Sequence, residues 1–260
     1  MTLLTGDDDW VVEVLSETPS TNAVLADCAR EGAPEGLVIA TEHQTAGRGR
    51  LDRVWSTPRY SALTFSVLLR PRDLAITRWT WLPLLAGLAV TSALREMGFD
   101  AGVKWPNDVL LSRTGPAEGT RSEAKVCGIL VERVETPDGP AAVIGIGLNT
   151  SIEAADLPVE TATSLTIESG APVDRTQVLI TVLRSLFAHY ADWLADPEQV
   201  ASTYGSVSVT LGRSVRAELP GGDMLLGTAV AVDSSGCLVI STETGPVTVA
   251  AGDVVHLRAV

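Results

Sequence analysis

Two long apolar runs, Lys125-Val-Cys-Gly-Ile-Leu-Val-Glu-Arg-Val134 and Ala141-Ala-Val-Ile-Gly-Ile-Gly-Leu-Asn149, flank the sequence Thr136-Pro-Asp-Gly-Pro140. β-Branched residues bounded by Pro, Asp and Gly read as paired strands joined by a turn. Such a pair is marginal alone and needs further strands or a helix beside it. The rest of the chain supplies both. Strand patterns occur at Trp10–Leu15, Leu37–Ala40 and Ala62–Leu69, and across Val103–Leu111, where Pro106 interrupts the run and restricts it to an edge or bulge.

Helical spacing follows Thr18-Pro-Ser-Thr-Asn22, where Ser20 or Thr21 is placed as N-cap, and continues to about Arg30 before Gly32. It recurs from Trp79 to Met97, with Gly98 as the stop, and from the cap Asp174 to near Asp196-Pro197. Residues 112–124 read as a polar, mobile loop. From about Tyr204 the pattern changes to short alternating strands split by Pro220-Gly-Gly-Asp223, Asp233-Ser-Ser-Gly236 and Thr244-Gly-Pro246. Five strands in about 55 residues predict a small SH3-like barrel, with a boundary near residue 203.

The formal net charge of −13 opposes binding to nucleic acid. The three cysteines, Cys28, Cys127 and Cys237, have no short spacing, which fits reduced thiols in the cytoplasm better than disulfides or a zinc site. No run approaches the ~18 apolar residues of a membrane span, and the N-terminus lacks a basic, apolar leader pattern.

Against this acidic background, Gln44-Thr-Ala-Gly-Arg-Gly-Arg-Leu-Asp-Arg-Val-Trp55 reverses the local sign: Arg48, Arg50 and Arg53 fall within six residues. Glycine lets backbone N–H groups approach a ligand, and guanidinium forks suit phosphate or carboxylate. The common nucleotide-loop, dinucleotide, hydrolase-elbow and zincin motifs are absent. What remains is the arginine loop, Lys104 and Asp108 in Lys-Trp-Pro-Asn-Asp, Lys125 before a strand, and Asn149 at the end of one. Cations fixed on separate strand ends can stabilise charge developing as a carboxylate attacks the α-phosphate of ATP, while an Asp with an Asn can hold its magnesium. Singly, each has a plainer role, as a surface lysine or a turn-forming asparagine.

Ser20-Thr-Asn22, Gln44-Thr-Ala-Gly-Arg-Gly-Arg50, Lys104-Trp-Pro-Asn-Asp108, Lys125-Val-Cys-Gly-Ile-Leu130 and Gly145-Ile-Gly-Leu-Asn149 resemble, in order and spacing, the motifs of the biotin protein ligases. The resemblance implies an α+β fold, a mixed sheet packed with helices over residues 1–203, then the SH3-like barrel over 204–260. It implies that ATP and biotin, with Mg2+, give biotinyl-5′-AMP, and that the biotinyl group passes to a lysine of a biotin carboxyl carrier protein or domain. Ser20, Thr21, Asn22 and Gln44 would line the biotin head-group pocket, while Arg48, Gly49 and Arg50 would wrap the carboxylate and α-phosphate. Lys125, Arg50 and Asp108 would be catalytic. Arg48, Arg50, Arg53, Trp55, Lys104, Asn107 and Asn149 would contact the nucleotide, with Trp55 covering the adenine. Asp108 and Asn149 would approach the metal.

The chain departs from that family at Leu51-Asp52, where members often carry a basic or polar residue and a glycine, and in its longer 112–124 loop. Only 19 residues precede Ser20, too few for the helix-turn-helix domain of members that double as repressors, so a monofunctional enzyme is expected. The alternatives are lipoate or octanoate transfer on the same fold, in which Cys127 could carry an acyl group, and a non-enzymatic regulator that binds an acyl-adenylate. Cys127 also reads as a small core residue. The expected assembly is a monomer or weak homodimer, without nucleic acid or membrane.

Overall fold

The computed structural model describes residues 2–5, 10–51, 53–72, 74–114, 121–219, 222–250 and 253–256. β1 (Thr2–Thr5), β2 (Val11–Leu15), β3 (Leu37–Thr41), β4 (Ala62–Leu69), β5 (Ala101–Lys104), β6 (Asp108–Thr114), β7 (Arg121–Thr136) and β8 (Gly139–Asn149) form one sheet in the order β1-β2-β3-β4-β8-β7-β6-β5. Among the described residues of these eight strands, β2 and β3 pair in parallel and the other neighbours antiparallel, so the sheet is mixed, as the resemblance implied. A parallel pair needs a crossover, and α1 (Thr21–Arg30) supplies it. The anticipated hairpin is β7–β8, in register from Thr136↔Gly139 to Cys127↔Leu148.

The pleat sends successive residues to opposite faces. On one face, Ala142, Ile144, Ile146 and Leu148 of β8 join the large core under α2 (Leu82–Glu96) and α4 (Arg175–Ala195). On the other, Ala141 and Val143 join Ile39, Leu68 and Val134 beneath Leu25 and Ala29 of α1. Truncating the fully buried Leu25 to alanine would cost about 2–5 kcal/mol. α1 covers only part of this second face; beyond its N-terminus the sheet is open.

Several expectations change in the structure. The broken pattern at Val103–Leu111 is two antiparallel strands, β5 and β6, with Trp105-Pro106-Asn107 as their turn and β5 at the sheet's edge. Trp79 and Trp81 lie in a 3-10 turn leading into α2. Residues 112–114 and 121–124 belong to paired strands, Ser112 facing Glu123, so the loop predicted over 112–124 is shorter; its residues 115–120 lie outside those described. Strand β1 had no sequence signal. After α3 (Leu165–Ser169) and α4, a further helix, α5 (Pro197–Val207), runs past Tyr204, where short strands were expected to begin. Pro197 opens it from the first turn, where proline costs no hydrogen bond, and Asp196 caps it by accepting from Glu198 N at 3.1 Å and Gln199 N at 3.2 Å.

β9 (Ser214–Glu218), β10 (Met224–Val232), β11 (Leu238–Thr242), β12 (Gly245–Val249) and β13 (Asp253–His256) form a separate antiparallel sheet ordered β12-β11-β10-β9-β13. It docks beside β5: Val209 N donates to Val103 O at 2.9 Å, and Trp81 Nε1 donates to Ser234 O at 3.0 Å.

Candidate active site

The open part of the sheet face is built by one set of pleat positions. Thr64 and Ser66 of β4 pair with Gly147 and Gly145 of β8, which pair in turn with Gly128 and Leu130 of β7. The glycines make room. A Cβ on Gly145 would stand 2.3 Å from Asn22 Oδ1, and one on Gly147 would stand 2.5 Å from two ring carbons of Trp55. The alternating glycines of Gly-Ile-Gly-Leu-Asn are therefore the sequence's mark of a face kept clear.

The N-terminus of α1 closes one end. Ser20 caps the helix, its Oγ accepting from Ala23 N at 3.4 Å. Gln44 Oε1 accepts from Thr21 N at 2.8 Å and from Thr21 Oγ1 at 3.1 Å. The buried Ser66 Oγ lies 2.7 Å from Thr21 Oγ1 and 2.6 Å from Asn22 Oδ1. Asn22 Nδ2 donates to Glu132 Oε2 at 2.7 Å and to Leu130 O at 3.3 Å. This end is polar, uncharged at its floor and held by mutual hydrogen bonds.

The arginine loop curls over the same cavity. Trp55 N donates to Gly47 O at 2.9 Å, Gly49 N donates to Arg53 O at 2.6 Å, and Arg48 bridges Val54. Gly47 is obligatory, since a Cβ there would meet the Trp55 carbonyl oxygen at 2.3 Å. Leu51, one of the departures noted above, turns the loop with φ +53° in the left-handed region; Asp52 lies outside the described residues. Arg50 Nη1 donates to Asn107 Oδ1 at 3.0 Å, and Asn107 Nδ2 donates to Ile129 O at 2.8 Å. Burial lowers the Arg50 pKa, with Asp108 opposing and Arg53 assisting; an arginine remains cationic at neutral pH regardless. The indole of Trp55 lies on Gly128 and Gly147, its buried Nε1 without an acceptor among the described residues.

The other end is cationic. Lys125 Nζ lies 2.6 Å from Asp108 Oδ1, and Lys104 faces Asp108 across the β5–β6 ladder. A β-bulge aims Lys125: the pairing shifts from Val109↔Cys127 to Leu110↔Lys125, leaving Val126 as the extra residue. Val126 and Cys127 are both buried in the core, so Lys125 emerges on the cavity side instead of following the strand's alternation inward. Desolvation lowers the Lys104 pKa, Asp108 opposing it and Lys125 reinforcing it. Asn149 is buried, its Nδ2 donating to Thr163 O at 3.0 Å.

All the candidate residues named from sequence, from Ser20, Thr21, Asn22 and Gln44 through Arg48, Gly49, Arg50, Arg53 and Trp55 to Lys104, Asn107, Asp108, Lys125 and Asn149, line one cavity of about 600 Å³. Sequence reasoning missed Ser66, Glu132, and Val254 and Val255 of β13, which also reach the cavity or its supports. Glu132 had a weak signal, an acid directly after the apolar stretch Val126–Val131; the β13 residues had none. Cys127 is fully buried and its thiol pKa is driven far up by desolvation, which excludes it as an acyl carrier in this state. Among the described residues no group of three or more His, Cys, Asp or Glu side chains could hold a metal ion. Asp108 and Asn149 line the same cavity from β6 and β8, and such scattered oxygen donors suit magnesium that arrives with a nucleotide's phosphates.

Residues 14–149 match the biotin/lipoate A/B protein ligase family, and residues 210–257 match the biotin protein ligase C-terminal domain. The chain is 38% identical over 252 residues to the biotin–[acetyl-CoA-carboxylase] ligase of Mycobacterium tuberculosis, covering 95% of this chain and 89% of that one. It is 32% identical over 239 residues to the bifunctional ligase/repressor BirA of Bacillus subtilis, covering 90% and 69%. The structure of the Aquifex aeolicus biotin protein ligase in complex with biotin and ATP aligns with a TM-score of 0.78 at 28% identity, covering 95% of this chain and 99% of that one. The chain belongs to the biotin protein ligase family.

Proposed function

We propose that the protein activates biotin with ATP to biotinyl-5′-AMP and transfers the biotinyl group to a lysine of a biotin carboxyl carrier protein or domain. The observation that carries this reading is the polarity of the cavity: hydrogen-bonding but uncharged at Thr21, Asn22 and Gln44, and cationic at Arg50, Lys104 and Lys125. Those two environments match a neutral ureido head and an anionic carboxyl-phosphate, and the apolar lining of Ile129, Leu130 and Ile146 suits the chain between them. A biotin carboxylate oxygen attacks the α-phosphorus and pyrophosphate leaves with its electron pair; then the carrier's lysine amine attacks the acyl carbon and AMP leaves.

Lys125 and Arg50 face the oxygens where negative charge grows, the arrangement that most lowers such a barrier. Asp108 orients Lys125, and Gly49, Arg53, Lys104, Asn107 and Trp55 surround the nucleotide, beside the loop residue Arg48. Asp108 and Asn149 would hold Mg2+, which when bound neutralises the leaving pyrophosphate. Biotin is favoured over lipoate or octanoate because the relatives and aligned structures above are biotin ligases, and because the buried Cys127 offers no thioester route.

We place the division between the catalytic and C-terminal domains at the end of α5, and the protein in the cytoplasm, which suits its three free thiols. No helix among the described residues is long and apolar enough to cross a membrane. A monomer or weak homodimer is supported by the edges of the large sheet: β1 has four residues, and β5 is covered by the segment through Val209. Pyrophosphate release from ATP tests the first half-reaction: it should require biotin and Mg2+, and release at the same rate without biotin would refute the reading.

A further inference from the structure

Arg48 lines the cavity, and its guanidinium also pairs with Glu132: Arg48 Nη2 lies 3.0 Å from Oε1 and 3.2 Å from Oε2. Glu132 is on β7, four residues past Gly128 and on the same pleat face, so it is fixed to the sheet on which the cavity is built. Its Oε2 also accepts from Asn22 Nδ2 at 2.7 Å, and Asn22 is tied through Ser66 to Thr21 and thence to Gln44. One carboxylate thus joins the arginine loop, the N-terminus of α1 and the head-group floor.

We propose that Glu132 is a positioning residue that straps the arginine loop across the cavity by holding Arg48, leaving contact with the acyl-phosphate to Arg50 and Lys125. The inference rests on the biotin-adenylating function proposed above. The Arg48 and Glu132 side chains are 54% and 31% exposed, so their pair adds little to folding stability. Its effect is geometric. The pair spans 84 residues and ties a glycine-containing loop to a rigid strand, where a small displacement of binding groups is costly to function.

The test uses the full chain loaded with biotinyl-5′-AMP and reads the dissociation rate of that intermediate together with thermal stability. Glu132→Ala should release it about tenfold faster, Arg48→Ala should do the same, and the double variant should be no worse than either, the non-additivity expected of one shared contact. Melting temperatures should stay near wild type. High salt should speed release from the wild type by a larger factor than from the variants, because only the wild type has the half-exposed Arg48–Glu132 pair to lose; a purely structural defect would not show this difference. If Glu132→Ala fails to fold, Arg48→Ala removes the same contact from its exposed side and carries the same expectation. Wild-type release from Arg48→Ala or Glu132→Ala, or additive effects in the double variant, would overturn the proposal. A wild-type protein that makes no biotinyl-5′-AMP from biotin and ATP would refute the underlying function as well, whereas retention by wild type and variants alike would refute the strap alone.

Discussion

Trp55 packs directly against Gly147: a Cβ at that position would sit 2.5 Å from Cε2 and Cζ2 of the indole. The contact joins the end of the arginine loop to the floor of the cavity, so the spare volume above a glycine in β8 is what lets the loop close. Gly147→Ala should displace the indole while leaving the sheet intact, since alanine fits a strand. Overpacking costs about 1–3 kcal/mol, which, relieved by displacement of the loop, should raise the KM for ATP by about ten- to a hundredfold. An unchanged KM in steady-state pyrophosphate release would mean that Trp55 can close the site from another position.

Lys125→Ala removes a cation from the point where charge develops and leaves Asp108 without its 2.6 Å partner. Loss of one such transition-state group costs about 3–4 kcal/mol, so adenylate formation should fall by about a hundredfold or more while the circular dichroism spectrum stays native. Wild-type pyrophosphate release from the purified variant would show that Lys125 is only a surface lysine.

Trp105 is fully buried, its Nε1 donating to Gly236 O at 3.0 Å and its backbone N donating to Thr210 Oγ1 at 3.1 Å. The turn carrying Asn107 thereby rests on the C-terminal sheet. Trp105→Ala should destabilise the protein by about 3–5 kcal/mol in urea unfolding. Trp105→Phe, which keeps most of the packing but loses the Gly236 bond, should fall between it and wild type; a loss below about 1 kcal/mol for the alanine variant would mean the two sheets are held together elsewhere.

Glu123 of β7 pairs with Arg213 and faces His256 of β13, so it links the two sheets by charge. His256 above all, and Arg213, hold its carboxyl below the ordinary value of 4.5, against the opposing effect of burial. A depressed folded pKa means that the stabilisation is fully present above 4.5 and is lost as pH falls through the lower folded value. Glu123→Gln should therefore melt below wild type at neutral pH, and the two curves should converge below about pH 4. A constant gap across that range would assign the difference to packing instead of charge.

What the sequence disclosed was local, and what it hid depended on distant pairing. Ser20 and Asp174 cap the helices that their side chains predicted, and the β7–β8 hairpin follows from a turn its own residues define. The arginine loop was visible as a sign reversal in an acidic chain. Pro197 misled because proline both ends helices and begins them; only the cap from Asp196 distinguishes the two. The bulge that turns Lys125 toward the cavity is a property of the β6–β7 ladder and has no local sequence mark. Glu132 was missed because nothing local links it to Arg48, which lies 84 residues away, and Val255 reaches the cavity only because a second sheet docks there.

The most direct test is the intact mass of an acceptor. The protein is incubated with ATP, Mg2+ and a biotin carboxyl carrier domain, and biotin, lipoate and octanoate are supplied in separate reactions. A single biotinyl group on one carrier lysine, with AMP and pyrophosphate formed in step and no transfer of the other two acids, is the predicted result. Lipoyl or octanoyl transfer at a comparable rate, or an unmodified carrier in the biotin reaction, would contradict it.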